Sequence, residues 1–223
     1  MGRIEFAGHP MRWVFTGDSV THGAAHTFGE RDYVQLFEER LRWELGRRRD
    51  HVIRTAVSGR TVTDLAADLD WSILQYRPHV VSIMLGLNDS QAVGAGAEEF
   101  AETYRRVVRR LTEAGAAVIL HTPNRVRPAE AGDYPGLPRL AEAVRALAHS
   151  TGCLLVDHFR AWERPEAAGA TAAWLGQTCH PNAFGHRALA ALLLARLGIW
   201  DPGSPTAPLA FFPHARELEL QFA

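Results

Sequence analysis

The chain contains no lysine; all 24 of its basic residues are arginine. That excludes Schiff-base lysine chemistry, an internal aldimine with pyridoxal phosphate, and a phosphate-loop lysine. Cysteine is scarce, with only Cys153 and Cys179, so there is no disulfide framework and the redox compartment is not constrained. No apolar run approaches the length of a membrane span, and the N-terminus lacks the apolar stretch of a signal peptide. An excess of either charge is also missing. The formal net charge is −1, so nothing favours nucleic acid or an anionic membrane surface as partner. The arginine cluster at residues 46–50 reads as a solvated helix end, since basic groups suit a helix C-terminus. These absences lead to the expectation of a cytoplasmic protein acting on a small molecule. With 223 residues and 47% hydrophobic content, the chain suits one generous domain. Residues 201–223, rich in proline and turn formers, are expected to form an extended arm packed upon it.

What is present is an alternation. Short apolar runs at residues 12–15, 51–57, 79–85, 116–120 and 153–157 have the length of buried strands. The last three are nearly continuous rather than alternating, as expected of parallel strands covered on both faces. Helical spacing fills the gaps. Val34, Phe37, Leu41 and Leu45 share one face, as do Phe100, Tyr104, Val107 and Leu111. Two further helices are predicted over residues 137–152 and 183–198. Strand and helix taking turns predicts an α/β doubly wound domain.

Ligands in such sheets bind at the carboxyl ends of the strands, so the residues that follow each strand carry the argument. The first strand runs into GDSVTHG, residues 17–23. The second runs into SGRT, with Gly59, and the third into GLNDS, with Asn88. The loop before the last helix reads QTCHPNAFGH and holds His180. A serine, a glycine amide, an asparagine amide and a histidine would converge on one rim. Acyl transfer needs these parts: a hydroxyl activated by a base, and donors placed for the developing oxyanion. Each piece alone is more often a turn, a loop or a structural histidine; the order and placement of the four together carry the signal.

These four blocks resemble those of the SGNH/GDSL hydrolase family, over roughly residues 12–200. The spacing is most similar to the bacterial esterase and lysophospholipase-like branch. The resemblance implies a three-layer, flavodoxin-like fold with a five-stranded parallel sheet, and hydrolysis of acyl esters without a cofactor. It implies Ser19 as nucleophile and His180 as base, with the Ser19 amide, the Gly59 amide and the Asn88 side chain as oxyanion hole. One position departs. The family carries an aspartate three residues before the histidine, and here that residue is Gln177. Three readings stay open. A relocated acid, with Asp157 after the fifth strand as candidate, could orient His180. A neutral carbonyl, from Gln177 or the loop backbone, could hold the ring in a Ser–His dyad. Or the pocket could be degenerate and kept for binding. An acyltransferase using the same acyl-enzyme is the rival within chemistry.

Other residues have plainer readings. Cys179, His180 and His186 match no zinc spacing. His22 and His26 flank the serine turn as loop wall or substrate contact. Trp162 and Trp174 belong to the core or to an acyl pocket. Asp18 and Asp89 tie loops together.

Overall fold

The computed structural model describes residues 2–23, 26–91 and 96–205, the side chain of Glu130 excepted. Five strands form one parallel sheet: β1 Arg12–Gly17, β2 His51–Arg54, β3 Val80–Met84, β4 Ala117–His121 and β5 Leu154–Val156. Their order is β2-β1-β3-β4-β5, and each pair is parallel. This is the flavodoxin-like order, whose direction reverses at β1 and β3. β2, β3 and β5 lie within the apolar runs predicted, β4 extends one residue beyond its run and β1 two.

Ten α-helices accompany the sheet among the described residues. They are α1 Ser19–His22, α2 Tyr33–Glu39, α3 Val62–Ala67, α4 Leu69–Ser72, α5 Ala97–Glu113, α6 Leu137–Thr151, α7 His158–Ala161, α8 Glu163–Ala167, α9 Ala170–Trp174 and α10 Ala183–Arg196. The helix predicted across residues 33–45 is α2 continued by a π-helical turn, Arg40–Glu44. The short helices α3 and α4, and α7 to α9, were not legible as periodic segments. None is longer than six residues, too short for an amphipathic repeat to show.

Alternation along β1 splits the core in two. Trp13 and Phe15 point into a cluster with Phe37 of α2 and Leu189 of α10. Val14 points the other way, to Leu65 of α3, Val107 of α5 and Val144 of α6. The sheet is thus covered on both faces, which is why its inner strands are mostly apolar. Trp162 and Trp174 are fully buried and meet edge to face at 5.1 Å, so both belong to the core. Ser204, at the start of the expected arm, bonds Glu44 at 3.0 Å; from residue 206 on, the arm lies outside the described residues. Among the described residues no helix is long and apolar enough to cross a membrane.

The β1–β3 pair runs as far as Gly17 beside Met84. Gly17 has φ 152°, and a Cβ placed there would lie 2.3 Å from the Met84 carbonyl oxygen. Gly17→Ala must therefore push the two central strands apart at their carboxyl ends. It should cost about 3 kcal/mol or more, read as a fall in the denaturant midpoint with little change in slope.

Candidate active site

The chain leaves β1 at Gly17 and turns at once into α1. Asp18 caps that helix, its carboxylate accepting from the Val20 amide at 2.9 Å. Ser19 is then the first helical residue, and its own amide belongs to the donors a helix start leaves free. Gly23 closes the short helix in the left-handed conformation, at φ 73°.

The second strand brings the next donor alongside. The Thr55 amide donates to the Phe15 carbonyl and the Val57 amide to the Gly17 carbonyl, so the turn after β2 is laced to the end of β1. Gly59 sits in that turn at φ 82°, where a side chain would be strained. Arg60 anchors it from within. Its buried guanidinium donates to Asp68 at 2.5 Å, Ser72 at 3.0 Å and the Thr55 carbonyl at 3.3 Å. Asn88, after β3, donates its side-chain amide to the Arg60 carbonyl at 3.1 Å. That bond leaves Asn88 a second N–H. Asp89 accepts from the Val62 amide at 2.9 Å and so ties this loop to the start of α3.

His180 arrives on a braced loop. Asn182 caps α10 through the amides of Phe184 and Gly185, while its side chain donates to the Ala173 carbonyl. Leu175 and Pro181 form an antiparallel bridge, and the Gly176 amide donates to the His180 carbonyl at 3.0 Å. From the far side, the buried Asn124 donates to the Cys179 carbonyl at 2.9 Å, and the Arg127 amide to that of Thr178. The result places His180 Nε2 2.8 Å from Ser19 Oγ, across 161 residues of chain. Burial, and secondarily the neighbouring His26, lower the pKa of His180 to about 4. The ring is therefore neutral near pH 7, able to accept the Ser19 proton at Nε2, with its own hydrogen on Nδ1.

What faces Nδ1 departs from the carboxylate of a triad. Gln177 is exposed, and no hydrogen bond joins it to His180 among the described residues. Asp157 is engaged elsewhere. It caps α7 and binds Arg145 through two contacts of 2.7 and 3.1 Å, and Thr122 at 3.1 Å. Cys179 Sγ lies 3.6 Å from Nδ1 but also only 4.0 Å from Nε2. A sulfur in line with the Nδ1–H bond would stand much farther from Nε2, so it flanks the ring rather than accepting from it. The other neighbour is His26, whose ring is parallel to that of His180 within 9° at a centroid distance of 3.6 Å. His186 is buried, and its Nδ1 accepts from the Tyr33 amide at 3.3 Å, away from His180.

A serine paired with a neutral histidine, beside the carboxyl ends of three parallel strands that present amide donors, is the apparatus of a serine hydrolase. Residues 15–188 match the GDSL-like lipase/acylhydrolase family, and the chain belongs to that family. The acetylxylan esterase of Geobacillus stearothermophilus is 27% identical over 212 residues, covering 86% of this chain and 95% of that protein. The structure of a variant of that esterase superposes with a TM-score of 0.74 at 25% identity, over 87% of this chain and 97% of its own. An α/β hydrolase enzyme from the metagenome of Lake Arreo, Spain, superposes with a TM-score of 0.75 at 28% identity, over 87% and 97%. The protein is a serine carboxylic ester hydrolase of the GDSL type, with the parallel five-stranded fold of these relatives.

Asp18 has a cost of its own. It is fully buried, and its Oδ2 has no hydrogen-bond partner among the described residues. Burial, reinforced by the charge of Asp89, raises its pKa from 3.8 to about 7 against the opposing Val20 bond. The folded protein holds this proton more tightly than the unfolded chain. The resulting stability is complete below pH 3.8 and is lost as pH rises to about 7. Asp18→Asn keeps a capping oxygen without the charge. Its melting temperature should overtake that of the wild type between pH 4 and 7, and the gap should level off above about pH 7. Parallel melting curves that keep a constant gap across this range would show that Asp18 is ionised throughout.

Proposed function

We propose that the protein is a single-domain esterase that removes small acyl groups, acetyl foremost, from hydroxyls of a carbohydrate-like substrate, through an acyl-enzyme on Ser19 and a Ser–His dyad. The observation that carries this reading is the 2.8 Å contact between Ser19 Oγ and a His180 kept neutral by burial. The acetylxylan esterase relatives support the acyl class and the alcohol class. Structures of that esterase described as catalytic mutants replace a serine, an aspartate and a histidine, the aspartate three residues ahead of the histidine. The same spacing from His180 falls here on Gln177.

In the reaction, Ser19 Oγ attacks the ester carbonyl while His180 Nε2 takes its proton. The carbonyl oxygen gains charge within reach of the Ser19 amide, the Gly59 amide and the free N–H of Asn88. His180 returns the proton to the departing alcohol. Water then adds to the acyl carbonyl, giving its proton to His180, and the carboxylic acid leaves Ser19. Without a carboxylate at Nδ1 the imidazolium gains no ion-pair stabilisation, so turnover of generic esters is expected to be slow.

Ser19→Ala should abolish release of p-nitrophenol from p-nitrophenyl acetate and leave the melting temperature close to wild type. Retention of most activity in that variant removes Ser19 from the mechanism. Asn88→Ala should lower kcat by about 10² to 10³, the range for loss of one oxyanion donor, with little change in KM. A change confined to KM would place Asn88 in substrate binding instead.

A further inference from the structure

We propose that His26 is the positioning residue that stands in for the missing carboxylate, holding the His180 ring toward Ser19 by stacking face to face upon it. The inference rests on the dyad reading above.

A histidine with one hydrogen bond can still swing about the bonds of its side chain. In a triad the carboxylate at Nδ1 removes that freedom. Here neither Gln177 nor Asp157 contacts Nδ1. The ring is instead confined between surfaces. His26 lies parallel to it at 3.6 Å, and Cys179 Sγ flanks it at 3.6 and 4.0 Å from its two nitrogens. A flat neighbour fixes the plane of the imidazole, and the Ser19 contact then fixes which edge faces forward.

The loop that presents His26 is itself held against the histidine loop. Phe28 adopts φ 54°, a left-handed conformation costly for a bulky residue. This places its ring beside Gly176, where a Cβ would lie 3.2 Å from Phe28 Cε2 and 3.4 Å from the His26 carbonyl oxygen. A side chain at 176 would make Phe28 and the His26 backbone give by a few tenths of an ångström, so glycine there suits the close contact of the two loops. The Glu30 amide donates to the Thr27 carbonyl at 3.1 Å and completes the turn.

Among the described residues the groups facing His180 are few. They are Ser19 from α1, His26 from the loop after it, Cys179 on its own loop and, behind them, His186 of α10. His186 in turn feels Asp32 and Arg54. Two stacked rings cannot both carry a proton at small cost, so the arrangement works only while His26 is neutral. Burial keeps its pKa below the ordinary 6.5, in the required direction.

The test compares His26→Ala with His26→Phe, using p-nitrophenyl acetate over pH 3 to 9 and melting curves for each variant. His26→Ala should lower kcat about 10- to 100-fold at unchanged KM. It should also move the acid limb of kcat/KM to higher pH, because His180 gains water and loses a neighbouring ring whose protonation opposes its own, both of which raise its pKa. His26→Phe keeps the flat face and the burial; it should retain kcat within about threefold, with a smaller upward move of the limb. Should His26→Ala melt below the assay temperature, His26→Leu, which fills the space without a flat ring, carries the same comparison. Three outcomes overturn the proposal: wild-type kcat and pH limb in His26→Ala, equal losses in the Ala and Phe variants, or a change in KM alone. Labelling of wild-type Ser19 by a fluorophosphonate separates the two layers. If Ser19 is not labelled, the dyad reading fails; if it is labelled and the His26 variants behave as wild type, only the role of His26 fails.

Discussion

The close approach of β1 and β3 at Gly17 governs the site. These are the strands at which the sheet order reverses, and their connections leave on opposite faces, opening a crevice between them. A side chain at Gly17 would run into the Met84 carbonyl. Without one, the chain can turn immediately after the strand, so that Ser19 begins α1 at the lip of the crevice. The Val57 amide then binds the Gly17 carbonyl, which draws the Gly59 turn to the same lip. Asn88, following β3, completes the row by bonding the Arg60 carbonyl. The turn after β2 and the loop after β3 are thus tied, directly or through Arg60, to the main chain at the end of β1.

Behind the lip, charged groups act as braces. Arg54 forms a two-point pair with Asp32 at 2.6 and 2.8 Å and also binds the His22 carbonyl at the end of α1. Asp32 caps α2 and packs into the space that Gly23 leaves open. One carboxylate thus links the end of β2, the helix bearing Ser19 and the helix beneath it. Buried pairs of this kind contribute little net stability, since desolvation offsets attraction, but breaking one side is costly. Their use here is geometric. Arg60 does the same for the Gly59 turn, and Arg127 and Asn124 for the loop of His180.

The strands, the long helices and the four motif blocks were legible because each leaves a local mark: an apolar run, a 3.6-residue period, a glycine after a strand. The resemblance converted those marks into expected roles, and set Gln177 at the position where the family is expected to carry an aspartate. The group beside the base was not legible. His26 lies 154 positions from His180, in a loop without periodicity, and a histidine there reads as loop wall. The nearest signal was Gly176, whose lack of a side chain admits Phe28, but a lone glycine in a loop points to no partner. Gln177 held the expected sequence position yet faces outward, because spacing in a loop does not determine where a side chain points. The Arg60 anchor was hidden for a related reason. Its partners Thr55, Asp68 and Ser72 are ordinary polar residues until α3 and α4 fold the segment back on itself.

A second serine–histidine pair shows how the first one differs from a structural contact. Ser82 Oγ in β3 lies 2.8 Å from His121 Nε2, the same distance as between Ser19 and His180. Its histidine is even better oriented, since His121 Nδ1 lies 2.9 Å from His158 Nε2. Burial holds both of these histidines neutral: it lowers His158 to about 3, and it lowers His121 with help from His158. Hydrogen-bond distance and a neutral histidine are thus both available at Ser82. What it lacks is position. Ser82 lies in the central strand β3, between Phe15 of β1 and Ile119 of β4, so the neighbouring amides are engaged in the sheet ladder. No ester carbonyl can reach it, and no free donors await an oxyanion. Ser19 has a comparable neutral histidine and a less securely held ring, but it stands where β1 has ended and α1 begins. In this fold the placement at the rim, more than the pairing with histidine, distinguishes Ser19 from a buried hydroxyl.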